Sequence, residues 1–521
     1  MKIYPLIPAS LALLSLANLV AVLPVQAGEA ASGEAASQPP WITLGEDGKL
    51  RYRTTSSGDR ILDFSYAGCG GGGMKLPNVP VRKDVAPSGG DDSSAIQAAV
   101  AAVADLPLSA GVRGAVLLGP GIFHCAEPIT LSHDGVVLRG SGSGDGGTVI
   151  EMTGAPHVCV TIAGERLQDV EDAAASTSIA DAYVPSGTLS LTVQNARGFM
   201  VGDVILIRRP ATAQWIHFMG MDTLVRNGKQ QTWMKPGSPI TCERTIRAIQ
   251  GSRLTLDVPL TDATDARFLT PGSATVTKTT PARRLVQCGL ESLRIISPPP
   301  NGTLTAKNNL CASMDNCEDS WLKDIDMRDA LGNVQVLAGA RRITIEGVHA
   351  VHTATVAKGA GYPADFLLRG SQVLIDRCSS AGDGSFYVAT LNTSATLNVA
   401  LHCEFKGKGA IQPHMRWSTA LLVDSCQLPD GRIEFINRGT AGSGHGWAMG
   451  WAVAWNSRAR EYNIQQPPGS MNWCIGCIGK PRQGSSPNCF SSHRTPVLPQ
   501  SLYLAQLRER LGESALKNIG Y

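Results

Sequence analysis

The chain is short of charge, and shorter still of charge of one sign. Only 17% of its 521 residues are Asp, Glu, Lys or Arg, and the formal net charge is +3. A nucleic-acid partner is therefore disfavoured, because phosphate binding draws on a concentrated basic surface and none is visible. Beyond the first 27 residues no apolar run approaches the roughly 20 residues that a spanning helix needs, so no membrane partner is expected after that point. Low-complexity tracts are missing too. The 56 glycines and 31 prolines are spread along the chain, as turns between many short strands would require. The glycine-rich run Gly68 to Gly73 has no Lys-Ser/Thr after it, which argues against a phosphate loop. Cys474 and Cys477 form a CxxC without a second pair or a His pair nearby, so neither a zinc site nor a redox dithiol is expected there.

What the chain does have begins with a leader. Lys2 is a positive n-region, Leu6 to Leu23 an apolar stretch and Val25-Gln-Ala27 a small-residue cleavage site; a secreted or periplasmic protein is the expectation. Thirteen cysteines are an odd number, so at least one is unpaired or pairs between chains. Cys378, Cys403 and Cys426 fall at matching places in similar short runs and read as a ladder of stacked thiols. Six such runs recur: Leu290 to Ile296, Trp321 to Met327, Arg342 to His349, Val373 to Cys378, Leu397 to Cys403 and Leu421 to Cys426. Their period of about 20 to 30 residues is that of one turn of a parallel β-solenoid.

Around this core the chain divides into a linker and cover segment (28–78), the start of the solenoid with a capping helix (79–164), a β-rich insertion (165–285), the main solenoid (286–490) and a helical tail (491–521). Asp91 to Ser93 offer N-cap oxygens, and Ile96, Ala99, Val100, Val103 and Leu106 follow at helical spacing, an apolar face suited to plugging the end of the coil. In the insertion, 202–210 and 253–260 alternate like antiparallel strands, and the loop between them carries Trp215, His217, Met221 and Trp233 as a structural brace or a substrate platform. In the tail, Leu502, Leu504, Leu507, Leu511 and Leu516 predict one helix over 501–517, ended by Gly520.

The helix signature, the strand ending Gly114-Ala-Val-Leu-Leu-Gly-Pro-Gly-Ile-Phe and then Val136-Val-Leu-Arg-Gly-Ser-Gly resemble the start of the pectate-lyase-like superfamily. The resemblance covers about 70 residues here and resumes near residue 285. It implies an all-β, right-handed parallel β-helix and an activity on carbohydrate polymers, and its motifs are specific for fold rather than for reaction. Gly444-His-Gly is similar to the Gly-His-Gly of polygalacturonases, with Asp383 upstream in the right order, but the Asn-Thr-Asp and Asp-Asp of that pattern are missing.

The densest set of unusual polar and aromatic residues lies between Asp365 and Trp455. Stacking brings residues about 25 apart to neighbouring rungs, nearly 5 Å apart, so that Asp383, Tyr387, His414, Arg416 and His445 are expected to converge. Elimination on a uronate polymer needs a cation for the carboxylate, a base for the C5 proton and an acid for the leaving oxygen. Arg416, Arg438 or Arg377 suit the first role, His414 the second, and Tyr387 or His445 the third. His414 and Arg416 share a face if they lie on one strand. Trp417, Trp447 and Trp451 are stacking candidates for sugar rings, although the alternation of Trp447, Met449 and Trp451 also fits a buried strand face. Calcium, bound by Asp324, Asp326 and Asp329, is a further option, against a solvated acidic face. Three readings stand: a lyase on an acidic polysaccharide, a glycoside hydrolase with paired carboxylates, and a non-catalytic carbohydrate-binding or adhesin solenoid.

Overall fold

Short runs of alternating apolar residues can bury one side in a coil only if the chain turns sharply after each, and a single left-handed residue supplies that turn. The computed structural model describes residues 40–521 apart from 271, 300–301, 306–308, 358–363 and 384–385; the leader expected over 1–27 lies outside the described residues. In successive coils Asp324, Gly347, Arg377, His402, Ser425, Asn456 and Gly476 all have φ between 43° and 66°. An L residue loses roughly 1–2 kcal/mol in that conformation. Each is followed at once by an inward side chain, Ile325, Val348, Cys378, Cys403, Cys426, Ser457 and Cys477, and all of these are buried. Burial of that next residue holds the corner in place.

The result is a parallel β-helix. One hydrogen-bonded sheet joins 28 strands among the described residues. Its register is seen in a single inward column, in which Leu290 pairs Leu322, Leu322 pairs Ile345, Ile345 pairs Ile375, and Ile375 pairs Ala400. The expected thiol ladder lies along another column. Cys378, Cys403 and Cys426 are buried, and like all thirteen cysteines they are free. Each thiol donates to a carbonyl of the preceding coil, that of Ile345, Ile375 and Ala400 respectively, at 3.3–3.5 Å. Burial in apolar surroundings raises the pKa of Cys378 and Cys426, which makes them inert packing groups.

Helix α1 (Ser93–Ala104) closes one end of the coil as expected, with Ile96, Ala99, Val100 and Val103 buried in the same core as the first strands. A second layer interrupts the coil. Strands Val170–Ser178, Thr275–Thr280, Val204–Pro210, Pro239–Gln250, Arg253–Leu256 and Ser190–Thr192 form an antiparallel sheet in that order, with Ile205, Ile246, Leu254 and Val276 as its own core. Ion pairs tie it to the coil: Glu243 meets Arg284 and Arg341, and Arg341 also meets Glu318. Helix α2 (Ala213–Phe218) carries Trp215, which packs with Trp233 and Trp417. The aromatic loop is thus a brace between insertion and coil.

The tail is two helices instead of one. Helix α3 (Leu502–Leu511) starts on Ser501, whose hydroxyl accepts from Leu504 N, and ends at Gly512; α4 (Glu513–Asn518) follows. Gly512 has φ 80° and ψ 179°, a conformation open mainly to glycine, and it breaks the predicted helix eight residues before Gly520. The tail covers one flank of the coil. Gln506 bonds both Leu62 O and Phe64 N of the cover segment (2.7 and 2.8 Å), and the hydroxyl of the last residue, Tyr521, donates to buried Asp376 (2.6 Å).

Candidate functional site

Four side chains that the sequence singled out meet where the strand Ala410–Ile411 gives way to irregular chain. His414 and His445 lie ring to ring, with centroids 4.6 Å apart. Arg438 Nη1 donates to His414 Nδ1 at 2.8 Å and to His414 O at 3.1 Å. Arg416 donates from its backbone to His445 O (3.1 Å) and from Nη2 to Ser443 Oγ (2.8 Å). His414 and Arg416 are not alternate residues of a strand. The strand ends at Ile411, and Arg416 and Trp417 both have left-handed backbones (φ 62° and 64°). That twist breaks the alternation, and Trp417 turns to the insertion, where it packs with Trp215 and Trp233.

Beside the pair is a cavity of about 360 Å³, floored by Leu367, Phe386, Ala389 and Leu391 and walled by His414 and Arg438. Phe386 meets the His414 ring edge-on at 5.6 Å, and the Arg438 guanidinium lies 5.7 Å from the Phe386 ring centre. Both imidazoles are held neutral. Burial first, then the charges of Arg438 and His445, lower His414 from 6.5 to about 3. Burial, then Arg438, Arg416 and Arg226, lower His445 to about 4. A guanidinium has no lone pair to offer, so the 2.8 Å contact fixes the tautomer of His414: Nδ1 accepts and the ring proton sits on Nε2. His445 is 8% exposed and its Nδ1 is buried without a partner, as is Arg416 Nε. Glu434, whose charge reaches Arg438, is itself held by Arg482 (3.0 Å), Arg432 (3.5 Å) and Gln412.

The other expected residues are elsewhere. Tyr387 is inside the coil, stacked on Phe405 (4.9 Å, 12°), with its hydroxyl accepting from Gly409 N and donating to Lys406 O. Burial pushes it up to about 12, so it is no acid for the groove. Asp383 lies in a turn ahead of the strand Phe386–Thr390 and accepts from Lys408 N of the next coil (2.9 Å). Arg377 faces the tail, paired with Asp376 and Glu346 and set over the Tyr521 ring. Trp417 and Trp451, both 2% exposed, donate from their indoles to the two oxygens of Asp262 (2.8 and 3.0 Å) and lock the insertion to the coil. Trp447 donates to Met219 O and accepts Trp233 Nε1 on its own carbonyl. Trp447, Met449 and Trp451 therefore share no face, because left-handed Trp451 (φ 60°) breaks the alternation. The three carboxylates considered for calcium have separate partners: Asp324 takes Ser143 Oγ, Asp326 takes Arg294 and Arg328, and Asp329 takes Thr353 and Ala354. No group of three or more possible metal ligands occurs among the described residues.

The insertion adds one residue that sequence reading missed. Arg226 sits on a two-stranded hairpin (Val225–Arg226 with Lys229–Gln230) and donates to Gly442 O at 2.9 Å. The turn, Asn227-Gly228, has φ 53° and 70°. Asn-Gly favours a two-residue hairpin turn, so the sequence carries this turn even without apolar flanks.

No protein-family model and no curated protein matches the chain. Among solved structures it is similar to ORF18 of Geobacillus virus E2 (11% identity, 79% of this chain and 60% of that one, TM-score 0.34). It is similar also to the tailspike gp49 of Pseudomonas phage LKA1 (11%, 76% and 70%, TM-score 0.26) and to the A-module of the mannuronan C-5 epimerase AlgE6 of Azotobacter vinelandii (11%, 79% and 96%, TM-score 0.25). The chain spans 60% of the length of the Geobacillus virus protein. Likeness of this degree carries no argument about activity.

Proposed function

We propose that the His414–His445 cleft cleaves an acidic, uronate-containing polysaccharide by β-elimination, in an exported protein of the pectate-lyase-like kind. The observation that carries this reading is a pair of buried neutral imidazoles set among Arg438, Arg416 and Arg226, with no carboxylate hydrogen-bonded or ion-paired to either imidazole, to Arg416 or to Arg438 among the described residues. Such a site is short of one negative charge, and a uronate carboxylate supplies it in the planar form a guanidinium prefers.

The roles follow from which ring nitrogens have partners. His445, with its unpartnered Nδ1, takes the proton from C5. Electrons of that bond form the C4–C5 double bond as the C4–O bond breaks, and the departing oxygen gains a proton. His414 is the reverse of the base expected from sequence: its lone pair is taken by Arg438, and its Nε2–H is a neutral donor for developing negative charge. A bound carboxylate also offsets the guanidinium charges that hold His445 down, so the base regains strength when substrate arrives.

Digestion of a panel of uronate polymers tests the proposal. Elimination gives reducing ends together with the ultraviolet absorbance of a conjugated double bond, and both are expected to vanish in His445→Ala and Arg438→Ala. Reducing ends without absorbance mean hydrolysis, and a panel left intact by folded protein means a binding role; either result sinks the elimination reading.

A further inference from the structure

A second cavity, of about 440 Å³, lies where the insertion meets the coil, with Trp417 in its wall, within the ~300–1,000 Å³ typical of small-molecule sites. Its aromatic wall is open. Phe218 is 39% exposed and stacks on Phe268 with centroids 4.4 Å apart, and Arg267 lies over the Phe268 ring at 5.3 Å. Its charges are already spoken for. Asp262 is held by Arg209 (2.6 Å) and by the indoles of Trp417 and Trp451; Asp265 pairs with Arg267 (2.5 Å); Asp59 accepts from Tyr183 Oη and Ser186 N (2.9 Å each). One polar group on the wall is not. Ser470 is 8% exposed and its Oγ is buried with no hydrogen-bond partner, which ordinarily costs about 1–3 kcal/mol unless a ligand or water satisfies it.

We propose that this cleft is a second carbohydrate site that takes a neutral sugar unit, with one ring face on Phe218 and a hydroxyl on Ser470. Aromatic rings stack on the C–H faces of sugars. The paired charges around them leave no unmatched guanidinium for an acid sugar, in contrast to the histidine cleft, which has three. The two sites would then read different sugars, and the inference stands whether or not the histidine cleft eliminates.

The test is titration of the full-length protein with neutral tetrasaccharides of glucose, galactose, mannose and N-acetylglucosamine, followed by tryptophan fluorescence, since Trp215, Trp417 and Trp451 line the cleft. At least one is expected to saturate. Phe218→Ala should weaken it by about tenfold or more, and Ser470→Ala by several-fold. Arg438→Ala should leave binding unchanged, and a galacturonate tetramer should not compete. Arg267→Ala, at a solvent-facing side chain, reports on the same wall should Phe218→Ala melt early. No saturable binding by any of the four sugars, wild-type affinity in the wall variants, or competition by the galacturonate tetramer overturns the proposal.

Discussion

Replacing Arg438 by Gln removes the guanidinium that faces His414 Nδ1 at 2.8 Å and keeps a polar side chain of similar reach. The fall of His414 from 6.5 to about 3 corresponds to roughly 5 kcal/mol against the imidazolium, at about 1.4 kcal/mol per pH unit. Burial accounts for the largest part and survives the substitution; Arg438 comes next and does not. A unit charge about 4 Å away in a medium of effective dielectric about 20 sets an upper bound of ~4 kcal/mol on the part removed. Solvent at the cavity mouth reduces that to roughly 1–2 pH units. The expected outcome is that the His414 midpoint rises by that amount and stays below 6.5, while His445 rises less, because Arg416 and Arg226 still face it. Selectively labelled histidine, titrated by NMR from acid to neutral pH in both proteins, reads each ring. Between about 3 and 6.5 the unfolded chain binds protons that the native imidazoles refuse, so native stability falls as pH drops through that window, and Arg438→Gln narrows it. A wild-type His414 that titrates at its ordinary value, or midpoints that do not move in the variant, would refute the reasoning.

Asp376, buried beneath Tyr521 and lifted by burial to about 7, keeps its proton in the native state where the unfolded chain has lost it. It therefore subtracts stability as pH rises from about 4 to about 7, and the melting-temperature advantage of Asp376→Asn over wild type should grow across that interval; a constant difference counts against it. His352 contacts the wholly buried Asp365 through Nε2 (2.5 Å), and this contact raises its pKa although burial opposes it. The stability from this pair is present below the ordinary histidine value and is lost as pH rises through the raised one. Asp365→Ala, which strands the imidazole, should cost about 3–5 kcal/mol in denaturant titrations, and a loss under ~1 kcal/mol would show the pair to be unimportant. A Cβ on Gly442 falls 2.1 Å from His445 Nε2, at φ 55°, so Gly442→Ala should shift the ring and abolish turnover with only a degree-scale change in melting temperature; full activity would exclude His445 as the base.

The coil was legible because its two signals, inward apolar residues and a turn after each run, repeat in every rung. Within the site, His414, Arg416, Arg438 and His445 were legible as a cluster, since stacking alone brings them together. Tyr387 was not, because whether a residue at a strand start faces in or out depends on the corner before it. The tryptophans misled for a related reason: alternation assumes extended backbone, and Trp417 and Trp451 are left-handed. Arg226 and Asp262 come from the insertion, whose docking onto the coil rests on Glu243, Arg284 and Arg341. No local pattern announces contacts between segments so far apart in sequence.

The left-handed corner that precedes each inward residue also separates what can vary from what cannot. Since the coils from Asp324 onward are re-phased at the same point, a loop of any length on the remaining sides returns the backbone to the same column. Additions to the segments bordering the histidine cleft would then change what enters it without displacing the wall beneath. Such a scaffold allows recognition to diversify while the reacting groups keep their places.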